Sequence, residues 1–552
     1  MNQPSMKHVS TLIMLFAMAV SAKAQKTSTP LIAGANVAVV QTQSGKVRGY
    51  VHNGTYIYKG IPYAKAKRFE APQPPDSWEG VRSSMSYGPV SPLMTPTTRV
   101  QDESEFVFHH DWGYTSEDCL RLNIWTPGIN DGKKRPVMFW IHGGGYTAGS
   151  SQELPSYDGE AISRKGDVVL ISVNHRLNIL GFLDLSEYGD KYKSSANASF
   201  YDLVAALEWV KANAAGFGGD PNNVTIFGQS GGGGKVTALM SSPLAKGLFH
   251  KAIVQSGVWS PYQEQAVSKR IGSAVLNELG LIPSQVDSIQ RVPYEKLVAA
   301  GNKAIAKVRE QLTAEGKITG SGITAGLRMG WTPTIDGKFL THHPTDAEAL
   351  ANSARVPLLI GSTKNEFMPS LRNPELRNGN EEQVKAFLQK QWKDKTEAYI
   401  AAVKKAYPND TRATDLMDVD AFFRPGMVAQ ANAKSASSAA PVYVYLFTWQ
   451  SPVLDGAYKA LHCMEIPFVM NNIARCEEMT GGGKEAYVLA DKSSQAWINF
   501  ARSGDPNHKG LPAWPKYNAT VGATMMLDNT CTVRNHPDKE VLELVAGAQP
   551  GL

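Results

Sequence analysis

The feature that most constrains this sequence is a glycine-rich turn around Ser230, between a predicted strand and a predicted helix. Residues 224–227 combine β-branched and aromatic side chains, as buried strands do, and a helical pattern resumes over 235–240. Gly228 and Gly232 flank the serine in a Gly-x-Ser-x-Gly pattern. Side chains at these two positions would crowd the turn and block the approach to the serine Oγ. The stretch therefore predicts a nucleophile elbow.

One such pattern is a weak indication by itself, because a chain with 49 glycines can contain it by chance. A hydrolase built on this elbow also needs an acid and a histidine base, in the chain order serine, acid, histidine. It needs backbone donors for an oxyanion as well. The interpretation therefore depends on the rest of the chain.

The donors are predicted directly after the apolar run 137–142, where three consecutive glycines follow. Glycines present their backbone amides without side-chain obstruction, as an oxyanion hole requires. We expect the amides of Gly144 and Gly145 to form a three-donor hole with the amide of Gly231. The alternatives are an ordinary glycine-rich turn or a phosphate loop, although a phosphate loop would end in Gly-Lys-Ser/Thr.

Two residues downstream of the serine fit the acid and the base. Glu366 follows the apolar run 356–361, and His462 opens a loop soon after the run 442–449. Catalytic groups collect at the carboxyl ends of parallel strands. We therefore assign Glu366 as the acid that orients His462, which takes the serine proton. Asp336 is the competing acid, but the Asp-Gly pair in which it stands is typical of a turn.

Long apolar runs separated by helical patterns define the fold class. Runs that are apolar throughout predict strands buried on both faces, and the helical patterns between them predict a largely parallel sheet covered by helices. The fold class is therefore α/β. The predicted strands are 37–43, 47–51, 56–58, 122–125, 137–142, 167–173, 224–227, 251–255, 356–361 and 442–449. The predicted helices include 201–213, 293–312 and 381–406.

Two long helical insertions, approximately 262–355 and 367–440, interrupt the later strands. Insertions above the strand ends would cap the site and shape a substrate pocket. The alternative is that their helices only thicken the fold.

The N-terminal segment 1–24 predicts a cleaved secretory signal. Lys7 stands near its start, an apolar run covers 12–20, and Ala22-Lys23-Ala24 precedes Gln25. The run is too short for a membrane span, and no later stretch is long enough. We therefore expect a single secreted or periplasmic domain over 25–552, with no membrane span.

The charge balance argues against a nucleic-acid partner. Removing Lys7 and Lys23 from the 56 basic residues leaves 54, against 50 acidic residues. So small an excess over a chain of this length indicates no polyanionic partner. No metal site is expected either, because His109-His110-Asp111 lacks further ligands at a usable spacing.

These residues together resemble a known family. The chain is similar to the type B carboxylesterases, the carboxylesterase and cholinesterase family of α/β-hydrolases, over essentially its whole mature length. The segments that carry the resemblance are Gly60-Ile61-Pro62-Tyr63-Ala64, Ser116-Glu117-Asp118-Cys119-Leu120, His142-Gly143-Gly144-Gly145, Asn174-His175-Arg176, Phe217-Gly218-Gly219-Asp220-Pro221, the elbow, Glu366 and His462. The resemblance implies an α/β-hydrolase fold, a Ser-His-Glu triad, no metal or organic cofactor, and the ion pairs Arg68–Glu117 and Arg176–Asp202.

The sequence also departs from the family pattern. Ser91 stands where the family usually has a cysteine, so Cys119 is expected to be a buried, unpaired thiol. Cys463 and Cys476 flank one loop and could pair after export, although closeness in sequence does not fix the geometry. The choline-binding tryptophan of cholinesterases has no secure counterpart, because Trp112 is out of register.

The expected function is hydrolysis of small neutral carboxylic esters through an acyl-enzyme. Gln229 stands where relatives often carry glutamate, so we expect it to line the substrate pocket without attracting a cation. Two alternatives belong to other classes: a catalytically silent binding or adhesion protein, and an amidase or peptidase with the same triad. The natural ester and the oligomeric state do not follow from the sequence.

Overall fold

The computed structural model describes residues 30–94, 102–257, 259–317, 329–437 and 439–548. The predicted signal segment 1–24 lies outside the described residues. The strands in chain order are β1 Val39–Thr42, β2 Gly45–Arg48, β3 Tyr50–His52, β4 Thr55–Pro62, β5 Val81–Ser83, β6 Arg121–Thr126, β7 Arg135–Ile141, β8 Val169–Val173, β9 Gly219–Gln229, β10 Lys251–Gln255, β11 Leu358–Thr363, β12 Val442–Phe447, β13 Ala523–Leu527 and β14 Thr532–Asn535.

Within the described residues, one large sheet has the strand order β14-β13-β12-β11-β10-β9-β7-β8-β6-β4-β3. The pairs from β8 through β7, β9, β10, β11 and β12 to β13 are all parallel. Antiparallel strands flank this block on both sides. The predicted α/β fold with a mostly parallel central sheet is confirmed.

The side chains of β7 show why the sheet is buried on both faces. Val137 and Phe139 point into one hydrophobic cluster, whereas Met138 and Trp140 point into the other. Successive residues of a strand face opposite sides of the sheet, so an uninterrupted apolar run is what two covered faces require. Packing on both faces therefore fixes the positions of the strand ends, where the candidate site residues lie.

Helices cover both faces and form the insertions. The α-helices in chain order are α1 Asp102–Phe108, α2 Glu160–Gly166, α3 Asn178–Phe182, α4 Ala198–Asn213, α5 Gly231–Ser241, α6 Gln265–Glu278, α7 Tyr294–Ala314, α8 Ala347–Asn352, α9 Pro369–Arg372, α10 Glu381–Trp392, α11 Thr396–Ala406, α12 Phe423–Ser437, α13 Ile466–Val469, α14 Glu477–Thr480, α15 Lys484–Ser503 and α16 Lys539–Ala548. None of these helices is long and apolar enough to cross a membrane.

The N-terminal hairpin differs from its prediction. The predicted strand 47–51 is divided between two sheets: β2 pairs with β1 and β5, and β3 pairs with β4. The break falls at Gly49, where a Cβ would lie 2.1 Å from the carbonyl oxygen of Ile57. This close approach of two backbones turns the chain from one sheet into the other.

The predicted helix 381–406 is divided as well. Helix α10 ends at Trp392, and α11 begins at Thr396. Lys393 between them has a φ of 52°. A non-glycine residue in this left-handed region stops an α-helix, and sequence periodicity does not reveal it.

Both ion pairs implied by the family resemblance are present. Arg68 binds Glu117, and Arg176 binds Asp202 through its guanidinium and its backbone amide. The second pair is fully buried, and Arg176 also donates to the carbonyls of Lys67 and Glu70. It therefore ties the start of α4 to the irregular segment after β4.

Candidate active site

Ser230 lies at the turn between the end of β9 and the start of α5. Its φ is 58° and its ψ is −124°, a conformation that few non-glycine residues adopt. The serine amide donates to the carbonyl of Gln255 on β10 at 2.8 Å, which helps to hold the turn. Strain of this kind persists only where the surroundings impose it, and it collects at active sites.

The glycines beside the serine are required by close packing. A Cβ at Gly232 would lie 2.0 Å from the carbonyl oxygen of Ile141, and a Cβ at Gly228 would lie 2.5 Å from the same atom. The predicted strand–turn–helix geometry of the elbow is therefore present, and glycine is needed because the turn packs against the end of β7.

The predicted oxyanion donors lie beside this turn. Gly144 and Gly145 stand on an exposed turn after β7, and a Cβ at Gly231 would lie 2.1 Å from the carbonyl oxygen of Gly145. Within the described chain, the amides of these three glycines donate no hydrogen bond to a protein acceptor outside regular helices and strands. The structure thus brings the three residues together, and their role as donors stays a prediction.

Glu366 and His462 meet at the carboxyl ends of β11 and β12. A carboxylate oxygen of Glu366 accepts a hydrogen bond from Nδ1 of His462, and the His462 amide donates to the Glu366 carbonyl at 3.2 Å. Glu366 is fully buried. Its other carboxylate oxygen accepts bonds from the Thr363 amide at 2.9 Å and from the Ser256 hydroxyl at 2.5 Å. The carboxylate is therefore fixed toward the imidazole.

The competing acid, Asp336, lies in a turn of its own. Its Oδ1 accepts bonds from the amides of Lys338 and Leu340 at 3.0 Å. This is the hydrogen bonding of a turn aspartate. The histidine of the candidate site thus pairs with Glu366.

Two aromatic side chains pack on the His462 ring. Phe423 stacks on it with a centroid distance of 5.1 Å and an interplanar angle of 13°, and Phe367 lies 4.7 Å away. Phe367 is 39% exposed, whereas Phe423 is buried. The second insertion therefore contributes directly to the candidate site, through a phenylalanine at the start of α12.

Gln229 is placed differently from its prediction as a pocket residue. It is fully buried, and its amide nitrogen lies 3.4 Å from each ring nitrogen of His462. Its amide oxygen accepts a bond from the Cys463 thiol at 3.1 Å. Gln229 therefore lies against the candidate base.

Within the described chain, no hydrogen bond joins the Ser230 hydroxyl to His462. Nucleophiles and bases often close to hydrogen-bonding distance only around a bound substrate. The amide of Gln229 instead approaches the ring.

The sequence did not indicate three buried polar residues around Glu366, namely Ser256, Asp420 and Glu465. Ser256 follows β10 with a φ of 47° and binds Glu366, and its place just after an apolar run was the available signal. Burial, followed by the charge of Glu366, raises the pKa of both Asp420 and Glu465 to about 7. Nothing in the local pattern indicated that these carboxyls stand near the candidate acid.

The cysteines confirm one prediction and contradict another. Cys119 is a buried free thiol, as expected. The predicted pairing of Cys463 with Cys476 is wrong, since both are free. The Cys463 thiol donates to Gln229, and Cys476 is buried among apolar side chains of the cluster against which Cys463 also packs. Closeness in sequence did not bring the two sulfur atoms together.

Within the described residues, no group of three or more His, Cys, Asp or Glu side chains is arranged to hold a metal ion.

Comparison with known proteins assigns the family. The model of the carboxylesterase family matches residues 36–545. The para-nitrobenzyl esterase of Bacillus subtilis is 35% identical, over 91% of this chain and 97% of that protein. The phenmedipham hydrolase of Pseudarthrobacter oxydans is 33% identical, over 89% and 94%.

Solved structures agree with this assignment. An esterase from Clostridium hathewayi, described as able to hydrolyse aliphatic aromatic polyesters, superimposes with a TM-score of 0.81 at 39% identity, covering 93% of this chain and 99% of that one. The chain therefore belongs to the carboxylesterase family of the α/β-hydrolase fold, and it is a carboxylic ester hydrolase.

Proposed function

We propose that this enzyme hydrolyses neutral carboxylic esters through an acyl-enzyme on Ser230, with His462 as the base and Glu366 as the orienting acid. The observation that carries the proposal is the contact of a fully buried Glu366 with Nδ1 of His462, next to a serine on a strained elbow. Because Nδ1 donates to the carboxylate, Nε2 is left with a lone pair that can accept the serine proton.

The reaction then proceeds in two halves. The Ser230 Oγ attacks the ester carbonyl carbon while His462 takes its proton, and the tetrahedral intermediate expels the alcohol, which receives that proton. A water molecule then attacks the acyl-enzyme as His462 removes its proton. Collapse of the second intermediate releases the acid and returns the proton to Ser230.

The oxyanion of each intermediate would be held by the amides of Gly144, Gly145 and Gly231. Preorganised backbone donors are most effective where charge appears in the transition state. The N-terminus of α5, which begins at Gly231, favours the same negative charge.

The preference for neutral esters is supported by Gln229, which is uncharged and contacts the base. A glutamate there would add a negative charge near the reacting centre. We expect the wild type to favour 3,3-dimethylbutyl butyrate over butyrylcholine in kcat/KM, and Gln229→Glu to shift the ratio toward the choline ester. A wild-type preference for the cation, or no shift in Gln229→Glu, contradicts this part of the proposal.

Apolar and aromatic groups should be accepted beside His462, because the exposed ring of Phe367 lies there and is also near Phe422. The polyester substrates named for the Clostridium hathewayi esterase have the same character. A panel of p-nitrophenyl and aromatic esters of graded length, with a matched anilide, tests the preference and separates esterase from amidase activity.

The triad is tested by steady-state kinetics on single variants. Ser230→Ala and His462→Ala should each lower kcat by several powers of ten while the circular dichroism spectrum is unchanged. Glu366→Gln should cost less than Ser230→Ala but far more than Asp336→Asn, its control. A variant of Ser230 or His462 that keeps a tenth of the wild-type activity refutes the triad, and the reverse order of the two acid variants transfers the role to Asp336.

The same proposal places the enzyme outside the cytoplasm, on the pattern of residues 1–24. N-terminal sequencing of the protein from its native host should begin at or near Gln25. A mature protein that retains Met1 contradicts export by this signal.

A further inference from the structure

Lys235 is a buried amine one turn into the helix that follows Ser230. Its side chain is fully buried. Its ammonium donates a hydrogen bond to the carbonyl oxygen of His142 at 3.1 Å. His142 stands directly before Gly143, Gly144 and Gly145, so this bond is made at the start of the predicted oxyanion loop.

This arrangement is costly for stability. No carboxylate of a described residue lies within 4.0 Å of the Lys235 ammonium, and Glu153 is the acid whose charge acts on it. Burial of an unpaired ammonium strongly disfavours its charged form. Burial, followed by Lys235, lowers the pKa of His142 and of His175, whose rings stack at 4.9 Å. Lys235 also acts against the burial that raises the pKa of Glu153. An apolar side chain at position 235 would therefore make the folded protein more stable.

The neighbouring glycines explain why the loop needs an anchor. Gly144 and Gly145 have φ values of 78° and 61°, and a run of glycines loses more conformational entropy on ordering than other residues do. The described anchors include the bond from the Ala148 amide to the Gly144 carbonyl, and the bond from the Asn178 amide to the Tyr146 carbonyl. Both bonds are made at or after Gly144. Lys235 instead binds the carbonyl oxygen of His142, the residue just before the three glycines.

The start of the loop also lies close to the Ser230 side chain. A Cβ built on Gly143 would lie 3.5 Å from the Cβ of Ser230. Gly232, three residues before Lys235, packs on the carbonyls of Ile141 and His142. Residues three apart share one face of a helix. One face of α5 therefore holds the end of β7 by close packing and by the ammonium bond.

We propose that Lys235 is a positioning residue that fixes the oxyanion loop against the Ser230 elbow, at a cost in stability. This inference rests on the proposed serine mechanism. Lys235 makes no contact with the substrate in this proposal. Its effect should therefore appear in transition-state stabilisation and not in ground-state binding.

The experiment compares Lys235→Met with Lys434→Met. Lys434 is a matched control, because it is also buried and also donates to one carbonyl, that of Ser353, outside the candidate site. For each variant, kcat and KM for a p-nitrophenyl ester are measured with the affinity for a boronic acid that mimics the tetrahedral intermediate. Thermal unfolding is followed at about pH 6 and about pH 10, near the ordinary pKa of lysine.

Lys235→Met should lower kcat about tenfold or more, weaken boronate binding by a similar factor, and leave KM within about twofold. Lys434→Met should leave all three unchanged. Both variants should melt at a higher temperature than the wild type at about pH 6. The gain should shrink toward pH 10, because burial lowers the pKa of Lys235 to about 7 and of Lys434 to about 8, so the penalty for the charged amine is complete only below those values.

Opposite changes in activity and stability are the signature of positioning, since loss of a purely structural residue lowers both. An unchanged kcat and boronate affinity in Lys235→Met overturns the inference, as does a lower melting temperature. Ser230→Ala is measured alongside. If that variant stays active, the serine mechanism fails; if it is inactive while Lys235→Met is fully active, only the role of Lys235 fails.

Discussion

At the scale of single residues, the charge on His462 governs the proposed reaction, because only a neutral imidazole accepts the serine proton. Burial on its own would lower the pKa of His462, but Cys463 and Glu366 outweigh it and raise the pKa well above 6.5. Burial raises the pKa of the Cys463 thiol, and the neighbouring His462 lowers it. The carboxylate of Glu366, which is hydrogen-bonded to Nδ1, is one of the two neighbours that stabilise the imidazolium.

This direction predicts the acidic limb of the pH profile. Below the pKa of His462 the base is protonated, so kcat/KM should fall as the pH decreases through a midpoint above about 6.5, the ordinary value for histidine. Glu366→Gln removes the charge and should move the midpoint to lower pH. A profile that stays flat down to about pH 4 contradicts histidine as the base.

At the scale of elements, the start of α5 and the predicted oxyanion loop are packed so closely that a methyl group on Gly231 does not fit between them. The residue directly after the serine is Gly231. A Cβ there would lie 2.1 Å from the Gly145 carbonyl oxygen and 2.4 Å from its Cα. Both are backbone atoms of Gly145, so they cannot move aside as the end of a flexible side chain could.

Gly231→Ala should therefore displace the loop and lower kcat by about ten- to a hundredfold, the range expected when an oxyanion donor is moved. Gly483→Ala is the control, because its φ is −71° and the nearest atom to its Cβ is the tip of the Glu485 side chain at 3.3 Å. A Gly231→Ala enzyme with wild-type kcat would show that the loop shifts without cost.

The sequence assigned Ser230, Glu366 and His462 from their places after buried strands, because parallel strands deliver their carboxyl ends to one edge of the sheet. The structure brings Glu366 and His462 into contact. Local pattern could not reveal contacts between distant segments. The orientation of Gln229 depends on the Cys463 thiol, more than two hundred residues away in the chain, and the break at Lys393 depends on a backbone conformation that apolar periodicity does not encode.

At the scale of the whole molecule, the buried pair Arg176–Asp202 connects α4 with the irregular segment after β4. The side chain of Asp202 is fully buried, and that of Arg176 is 4% exposed. Asp202→Asn would leave the guanidinium without its counter-charge in the core. We expect the free energy of unfolding in urea to fall by about 3–5 kcal/mol.

The control for this prediction is an exposed pair. Lys65 and Asp76 are 51% and 82% exposed, so Asp76→Asn should change stability little. If Asp202→Asn were as stable as Asp76→Asn, the buried pair would be shown to contribute no more than a surface pair.

The proposed mechanism depends on Ser230 being the residue that forms the acyl-enzyme. Mass spectrometry of peptides after treatment with a fluorophosphonate tests this most directly, because the probe bonds to an activated serine and the peptide identifies it. The account predicts one adduct on Ser230, none on the Ser230→Ala protein, and labelling slowed by several powers of ten in His462→Ala. An adduct on a different residue, or no adduct on an enzyme that still hydrolyses p-nitrophenyl esters, would contradict it.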